Sequence, residues 1–163
     1  MPRDLSEAAR LVRAFEGCRL QPYLDAVGIA TIGYGHVILD SEGHPMRGPA
    51  GLLQARRLYP VGMTQAEACN LMNADFAAFA AGVEPLVTVP LADHQLGALA
   101  SFAFNVGLGA FKSSTLRKRL NAGQYDAVPG ELAKWTRAGG VVLNGLIRRR
   151  KAEGLLWQGK PWA

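Results

Sequence analysis

The chain is 163 residues long, 49% apolar and 19% charged, with a mean hydropathy of +0.06. That is the range of an ordinary globular protein of one domain or two closely joined lobes, and it excludes a disordered or fibrous chain. The longest unbroken apolar runs, such as Phe76–Ala81, fall far short of the roughly 18 to 20 residues that a membrane span requires, so no stable membrane insertion is expected.

The N-terminal stretch MPRDLSEAARLVRAFEG mixes charges with helical periodicity and lacks the apolar core of a signal peptide, which predicts a chain without ordinary export. Ser6 reads as the N-cap of a helix in which Leu11, Val12 and Phe15 recur at helical spacing, and Gly17 as its stop, so that Glu16 sits in the last turn. Next come Tyr23, Leu24, Ile29, Thr31, Ile32 and Tyr34, β-formers broken by Gly28, Gly33 and Gly35, which predict a hairpin or small sheet. Residues 40–63 are dense in Gly and Pro, with a short helix expected over Ala50–Leu58. Thr64 and Glu67 form a T-x-x-E capping box that opens a helix running to about Gly82. Such a rod is roughly 28 Å long, enough to connect two lobes.

Beyond Pro90 the segment ADHQLGALASFAFNVG is apolar around nearly its whole circumference, as a helix enclosed by others is. Further helices are expected around Ser114–Ala122, Tyr125–Thr136 and Leu146–Trp157, separated by breaks at Gly123 and Gly139-Gly140, with Pro129-Gly130 as an interruption. The fold class is therefore α+β and mostly helical. Cys18 and Cys69 have no metal-like spacing and are expected to be inert thiols.

The charge is unevenly distributed. Residues 1–110 carry 7 basic and 10 acidic side chains, residues 111–163 carry 11 and 3, and the net charge is +5. Such a field favours an anionic partner: nucleic acid, an acidic lipid surface or a carboxylate-bearing wall polymer. The runs Arg117-Lys118-Arg119 and Arg148-Arg149-Arg150-Lys151 read equally as solvated helix faces and as steering groups.

The stretch EGCRLQPYLDAVGIAT carries the chemistry. If Asp25 and Thr31 oppose each other across a hairpin centred on Gly28, their side chains project to one face and can grip one water molecule. Glu16 then approaches the same space from the helix end. Two carboxyl groups of unlike acidity, one donating a proton to a leaving oxygen and one activating water on the opposite face, are what inverting glycoside hydrolysis requires. The negative end of the helix dipole favours the protonated form of Glu16. Spacing alone does not separate this reading from two solvated surface acids.

FEGCRLQPYLDAVGIATIGYGH resembles the signature of the phage-type lysozymes of glycoside hydrolase family 24, in which Glu, eight residues, Asp, five residues and Thr form the catalytic set. SFAFNVGLGAFKSSTLRKRLNAG and WTRAGGVVLNGLIRRRKAEGLLW are also similar to family segments. The resemblance implies a lysozyme-like fold with an α+β lobe (about 18–63), a connecting helix (about 64–82) and a helical lobe (about 83–163) on which helix 6–16 packs, the sugar chain lying between the lobes. It implies an endolysin that cuts the β-1,4 bond between N-acetylmuramic acid and N-acetylglucosamine in peptidoglycan. Glu16 would be the proton donor, Asp25 the partner carboxylate and Thr31 the hydroxyl that orients water. It also places Phe104, Ser114 and Thr115 at substrate-binding positions, pairs His36 with Asp75 as a structural ion pair, and pairs Arg148 with Glu16.

The family further implies a monomer with no metal or cofactor and no nucleic-acid partner. It would accumulate in the host cytoplasm and reach the wall through a separately encoded membrane-permeabilising protein. The alternatives are cleavage of the same bond by internal attack, as in a lytic transglycosylase, and a non-catalytic cell-wall or nucleic-acid binding protein of the same fold.

Overall fold

The computed structural model describes residues 2–163 and divides into two compact units, one formed by residues 16–75 and the other by residues 2–15 and 76–163. Among the described residues there are eight α-helices, a three-stranded antiparallel sheet and a two-stranded one. No helix among them is long and apolar enough to cross a membrane.

The smaller unit is built on the three-stranded sheet, order β1 (Arg19–Leu24), β2 (Ala30–Gly33), β3 (His36–Val37). Tyr23 pairs with Thr31 and Leu24 with Ala30, but Arg19 pairs with Gly33, so the register slips between Arg19 and Tyr23. Pro22 lies in the slipped stretch, where a residue without an N–H can be accommodated. Ala30 and Ile32 point into a core with Ile38, Met46 and Ala55. Thr31, between them in sequence, therefore points to the opposite face.

The stretch 40–63 is ordered by local bonds. Asp40 Oδ1 accepts from Glu42 N (2.8 Å) and His44 N (2.9 Å), a turn that brings Leu39 back to Pro45. Helix α2 (Gly48–Leu58) follows, two residues longer at its start than the sequence suggests, with Pro49 in the first turn where its missing N–H is harmless. Its buried side, Gly51 and Ala55, faces β1 and β2. At Gly62 φ is +70°, and a Cβ there would collide with the Leu20 carbonyl oxygen, so both backbone conformation and space demand glycine.

Helix α3 (Gln65–Val83) begins at the expected capping box, with Glu67 N donating to Thr64 Oγ1 (3.1 Å) and Thr64 N to Glu67 Oε2 (3.0 Å). The boundary between the units falls inside it, after Asp75.

In the larger unit, α1 (Ser6–Phe15) is capped by Asp4 rather than by Ser6: the Asp4 carboxylate accepts from both Ser6 N (3.1 Å) and Ser6 Oγ (2.7 Å). Helix α4 (Asp93–Val106) is the central rod, buried from Leu96 to Ala103 and packed by α1, α5 (Leu108–Ser113) and α8 (Asn144–Trp157). Gly97 permits the closest approach: a Cβ there would lie 2.6 Å from Ala8 Cβ. Phe102 of α4 meets Trp135 edge-on, with ring centroids 5.2 Å apart.

The 125–136 stretch differs from the expected helix. It is a 3₁₀ turn (Tyr125–Ala127) followed by a short α7 (Val128–Leu132) with Pro129 in its first turn, so the proline starts a helix instead of interrupting one. Gly139-Gly140, read as a helix break, turns a hairpin of β4 (Arg137–Ala138) and β5 (Val141–Val142), both glycines at positive φ.

Candidate active site

Glu16 follows immediately on the last residue of α1, one position beyond the helical turn expected for it. It is half-buried, and a Cβ on Gly35 would lie 3.9 Å from its Oε2. Gly35 has φ of +82° and sits in the β2–β3 turn. The positive φ is what favours glycine at this turn, and an added Cβ would meet the carboxylate only in ordinary van der Waals contact.

Asp25 and Thr31 do not oppose each other. Asp25 faces Ile29, whose carbonyl oxygen accepts from Asp25 N (2.9 Å), and Thr31 faces Tyr23. The tight turn places Gly28 N on Asp25 O (3.0 Å), and the centre of the hairpin falls at Val27, one residue before the Gly28 expected. Because side chains alternate along a strand, Tyr23, Asp25 and Thr31 still share one face, with Asp25 diagonal to Thr31 at a typical distance of about 7–8 Å between Cα atoms.

Both carboxylate and hydroxyl are committed to the turn by one atom each. Asp25 Oδ1 accepts from Val27 N (3.0 Å) and Ile29 N (2.9 Å), which fixes its rotamer. Thr31, only 3% exposed, donates its hydroxyl proton to Ile29 O (3.0 Å). Its lone pairs then point away as acceptors.

Tyr23 is the member of this face that sequence reasoning passed over as a mere β-former. Burial pushes its phenol above the ordinary range, Arg19 pulls it back, and Glu16 and Asp25 push it up again, so its hydroxyl feels both acids. The Arg19 guanidinium lies over its ring, 4.4 Å from the centroid. The signal was available: Tyr23 is two residues before Asp25 on a strand and thus on the same face.

His36 of β3 lies with Nδ1 2.7 Å from Asp75 Oδ2 on α3, both side chains 28% exposed. The pair ties the sheet edge to the helix and fixes the orientation of the imidazole through Nδ1.

The remaining sequence-predicted residues lie in the larger unit. Phe104 is half-buried and packs in a tilted arrangement on Phe79 (5.2 Å between centroids) and Phe76 (6.4 Å). Ser114 is buried and is the N-cap of α6 (Thr115–Asn121): its Oγ accepts from Arg117 N (3.1 Å) and donates to Phe111 O (2.6 Å). Its hydroxyl is engaged in the cap, and Thr115 is the exposed one of the two. Arg148 is exposed on α8. Among the described residues, no group of three or more His, Cys, Asp and Glu is arranged to hold a metal ion.

The chain is similar to known proteins over most of its length. Residues 13–153 match the model of the phage lysozyme family. The chain is 38% identical over 157 residues to an endolysin of Bacillus phage B103, covering 94% of this chain and 54% of that protein, so it spans about half the length of that relative. It is 36% identical over 138 residues to a SAR-endolysin of Bacteriophage PS119, covering 85% and 73%. Among solved structures, an endolysin from Escherichia coli O157:H7 phage FAHEc1 superposes with a TM-score of 0.75 at 30% identity, covering 96% of this chain and 93% of the other.

Proposed function

Because the chain belongs to the phage lysozyme family, we propose that it is an endolysin that hydrolyses the β-1,4 bond between N-acetylmuramic acid and N-acetylglucosamine in bacterial peptidoglycan, with inversion at the sugar carbon. Glu16 gives its proton to the glycosidic oxygen as the bond to the sugar carbon breaks. A water held between Asp25 and Thr31 attacks that carbon from the opposite face, and the Asp25 carboxylate takes the water's proton. The sum is one water added per bond cut.

The observation that carries this reading is the shared sheet face of Asp25 and Thr31, with a Thr31 hydroxyl whose proton is already given to Ile29 O. A threonine so bonded accepts a hydrogen bond from water and orients one water lone pair outward, while Asp25, anchored through Oδ1, has Oδ2 to receive the proton. His36, held by Asp75, takes no part in proton transfer.

The test is clearing of a suspension of exposed peptidoglycan. The wild-type protein should clear it and Glu16→Gln should not. Mass spectrometry of the released fragments should show one added water per cut. Anhydro sugar ends would replace hydrolysis by internal attack, and clearing by Glu16→Gln at the wild-type rate would remove the proposal. The enzyme is further proposed to work as a monomer without metal and to reach the wall through a separately encoded membrane-permeabilising protein. Undiminished clearing in excess chelator, and dependence of lysis in the host on a second gene, check these two points.

A further inference from the structure

We propose that the outer surface of α2 and the turn that follows it dock peripherally on an anionic phospholipid bilayer. Helix α2 rests on the sheet through Gly51 and Ala55. Its other side carries Leu53 (55% exposed) with Arg56 and Arg57 one turn further along, the i, i+3 and i+4 positions of one face. Leu58 (58%) ends the helix, and just beyond it lies Val61 (86%), the most exposed large apolar residue described in the chain. Leu20 (37%) joins them, because Met63 N bonds to Leu20 O (2.8 Å) and Gly62 sits against the same carbonyl. Tyr59 packs on the core of this unit, which holds the turn in place and keeps its apolar residues outward.

The charge on this surface has one sign. From Gly43 to Ala66 there is no Asp or Glu, and the segment contains Arg47, Arg56 and Arg57; Arg19 precedes Leu20. Arg56 and Arg57 are exposed and enter none of the ion pairs described. The basic side chains elsewhere on the chain are in part occupied: Arg119 and Lys134 hold Glu131, and Arg117 caps Leu86 O. Apolar side chains interleaved with unpaired arginines match a lipid surface, where the apolar groups enter the headgroup boundary and the guanidinium groups stay at the phosphates. A glycan strand, polar and hydroxyl-rich, offers nothing to Leu53, Leu58 and Val61. A second copy of this chain would set arginine against arginine.

The experiment is co-sedimentation of the whole protein with vesicles of phosphatidylglycerol and phosphatidylcholine, against vesicles of phosphatidylcholine alone. Binding is expected to the anionic vesicles only, and to weaken as salt is raised. Each arginine near a charged surface is worth roughly a fivefold change in affinity, so Arg56→Gln with Arg57→Gln should lower binding about thirtyfold. Leu53→Ser with Val61→Ser should lower it with no change in the salt dependence. Both variants alter only exposed side chains, and both should release fragments from purified peptidoglycan at the wild-type rate. Lys118→Gln with Lys160→Gln removes the same charge elsewhere and should bind as wild type. Equal loss in that control would mean net charge, not α2, does the binding. Failure to bind anionic vesicles, binding to neutral ones, or loss of adsorption to purified walls by the arginine variant would each overturn the proposal.

Discussion

Replacing Asp25 in two ways separates its structural work from its chemistry. Asp25 Oδ1 accepts two backbone N–H bonds, from Val27 (3.0 Å) and Ile29 (2.9 Å). Asn carries the same oxygen in the same place, so Asp25→Asn keeps both bonds and should alter stability by no more than about 0.5 kcal/mol. Asp25→Ala loses both. At about 1 kcal/mol net for each bond the loss is about 2 kcal/mol. For a chain of this length, roughly 2–4 °C per kcal/mol gives a Tm lower by about 4–8 °C. Neither variant has a carboxylate to take a proton from water, so both should cleave peptidoglycan about 100- to 10,000-fold more slowly. Scanning calorimetry and a fragment-release assay on the same preparations read the two effects. If Asp25→Asn kept the wild-type rate, the carboxylate would have no role in proton transfer. If it unfolded as early as Asp25→Ala, the turn would depend on the charge and not on the two bonds.

Three further outcomes follow from the larger unit. Glu153, fully buried, has Oε2 2.8 Å from Arg150 Nε and Oε1 3.2 Å from Arg149 Nε, and accepts from Ser101 Oγ at 2.8 Å. Burial pushes its carboxyl up while the two arginines pull it down. Glu153→Gln takes the countercharge from two buried guanidinium groups and should lower stability by about 3–5 kcal/mol, against about 1.5–3 kcal/mol for Ser101→Ala, which removes one bond to the charged group; urea midpoints at constant m measure both. Gly97→Ala adds a methyl 2.6 Å from Ala8 Cβ and should destabilise by about 1–3 kcal/mol through overpacking, read the same way. Glu131 is held below the usual 4.5 by Lys134 and then Arg119. Its folded value is depressed, so its stabilisation is complete above the unfolded value and is lost as pH falls through the folded one. Glu131→Gln should therefore be less stable at neutral pH and lose less on acidification below about pH 5, as a series of thermal melts would show.

Local chemistry was legible where it was self-contained. The Thr64–Glu67 box is a bond between residues three apart and needs no tertiary partner, so the start of α3 could be read directly. The enclosure of α4 followed from an apolar circumference. At α1 two neighbouring residues competed for one role: Asp4 took the cap from Ser6 because its carboxylate bonds both the N–H and the hydroxyl of Ser6, leaving the serine no lone task. Ser114 carries a second task that spacing did not announce, since a hydroxyl at a helix start is drawn to the cap. Pro129 and Gly139-Gly140 were recognised as interruptions, but whether a proline ends a helix or begins one, and whether two glycines break a helix or turn a hairpin, depends on what the flanking chain can pack against.

The sequence by itself determined the family and the mostly helical α+β class, and it singled out Glu16, Asp25 and Thr31 as candidates, because side-chain type and spacing along the chain are covalent facts. Only the tertiary structure decided the pairing of Thr31 with Tyr23, the capping role of Ser114 and the exposed basic and apolar surface of α2. Register and exposure are settled when hydrogen bonds and core packing choose one partner among several that local propensity permits.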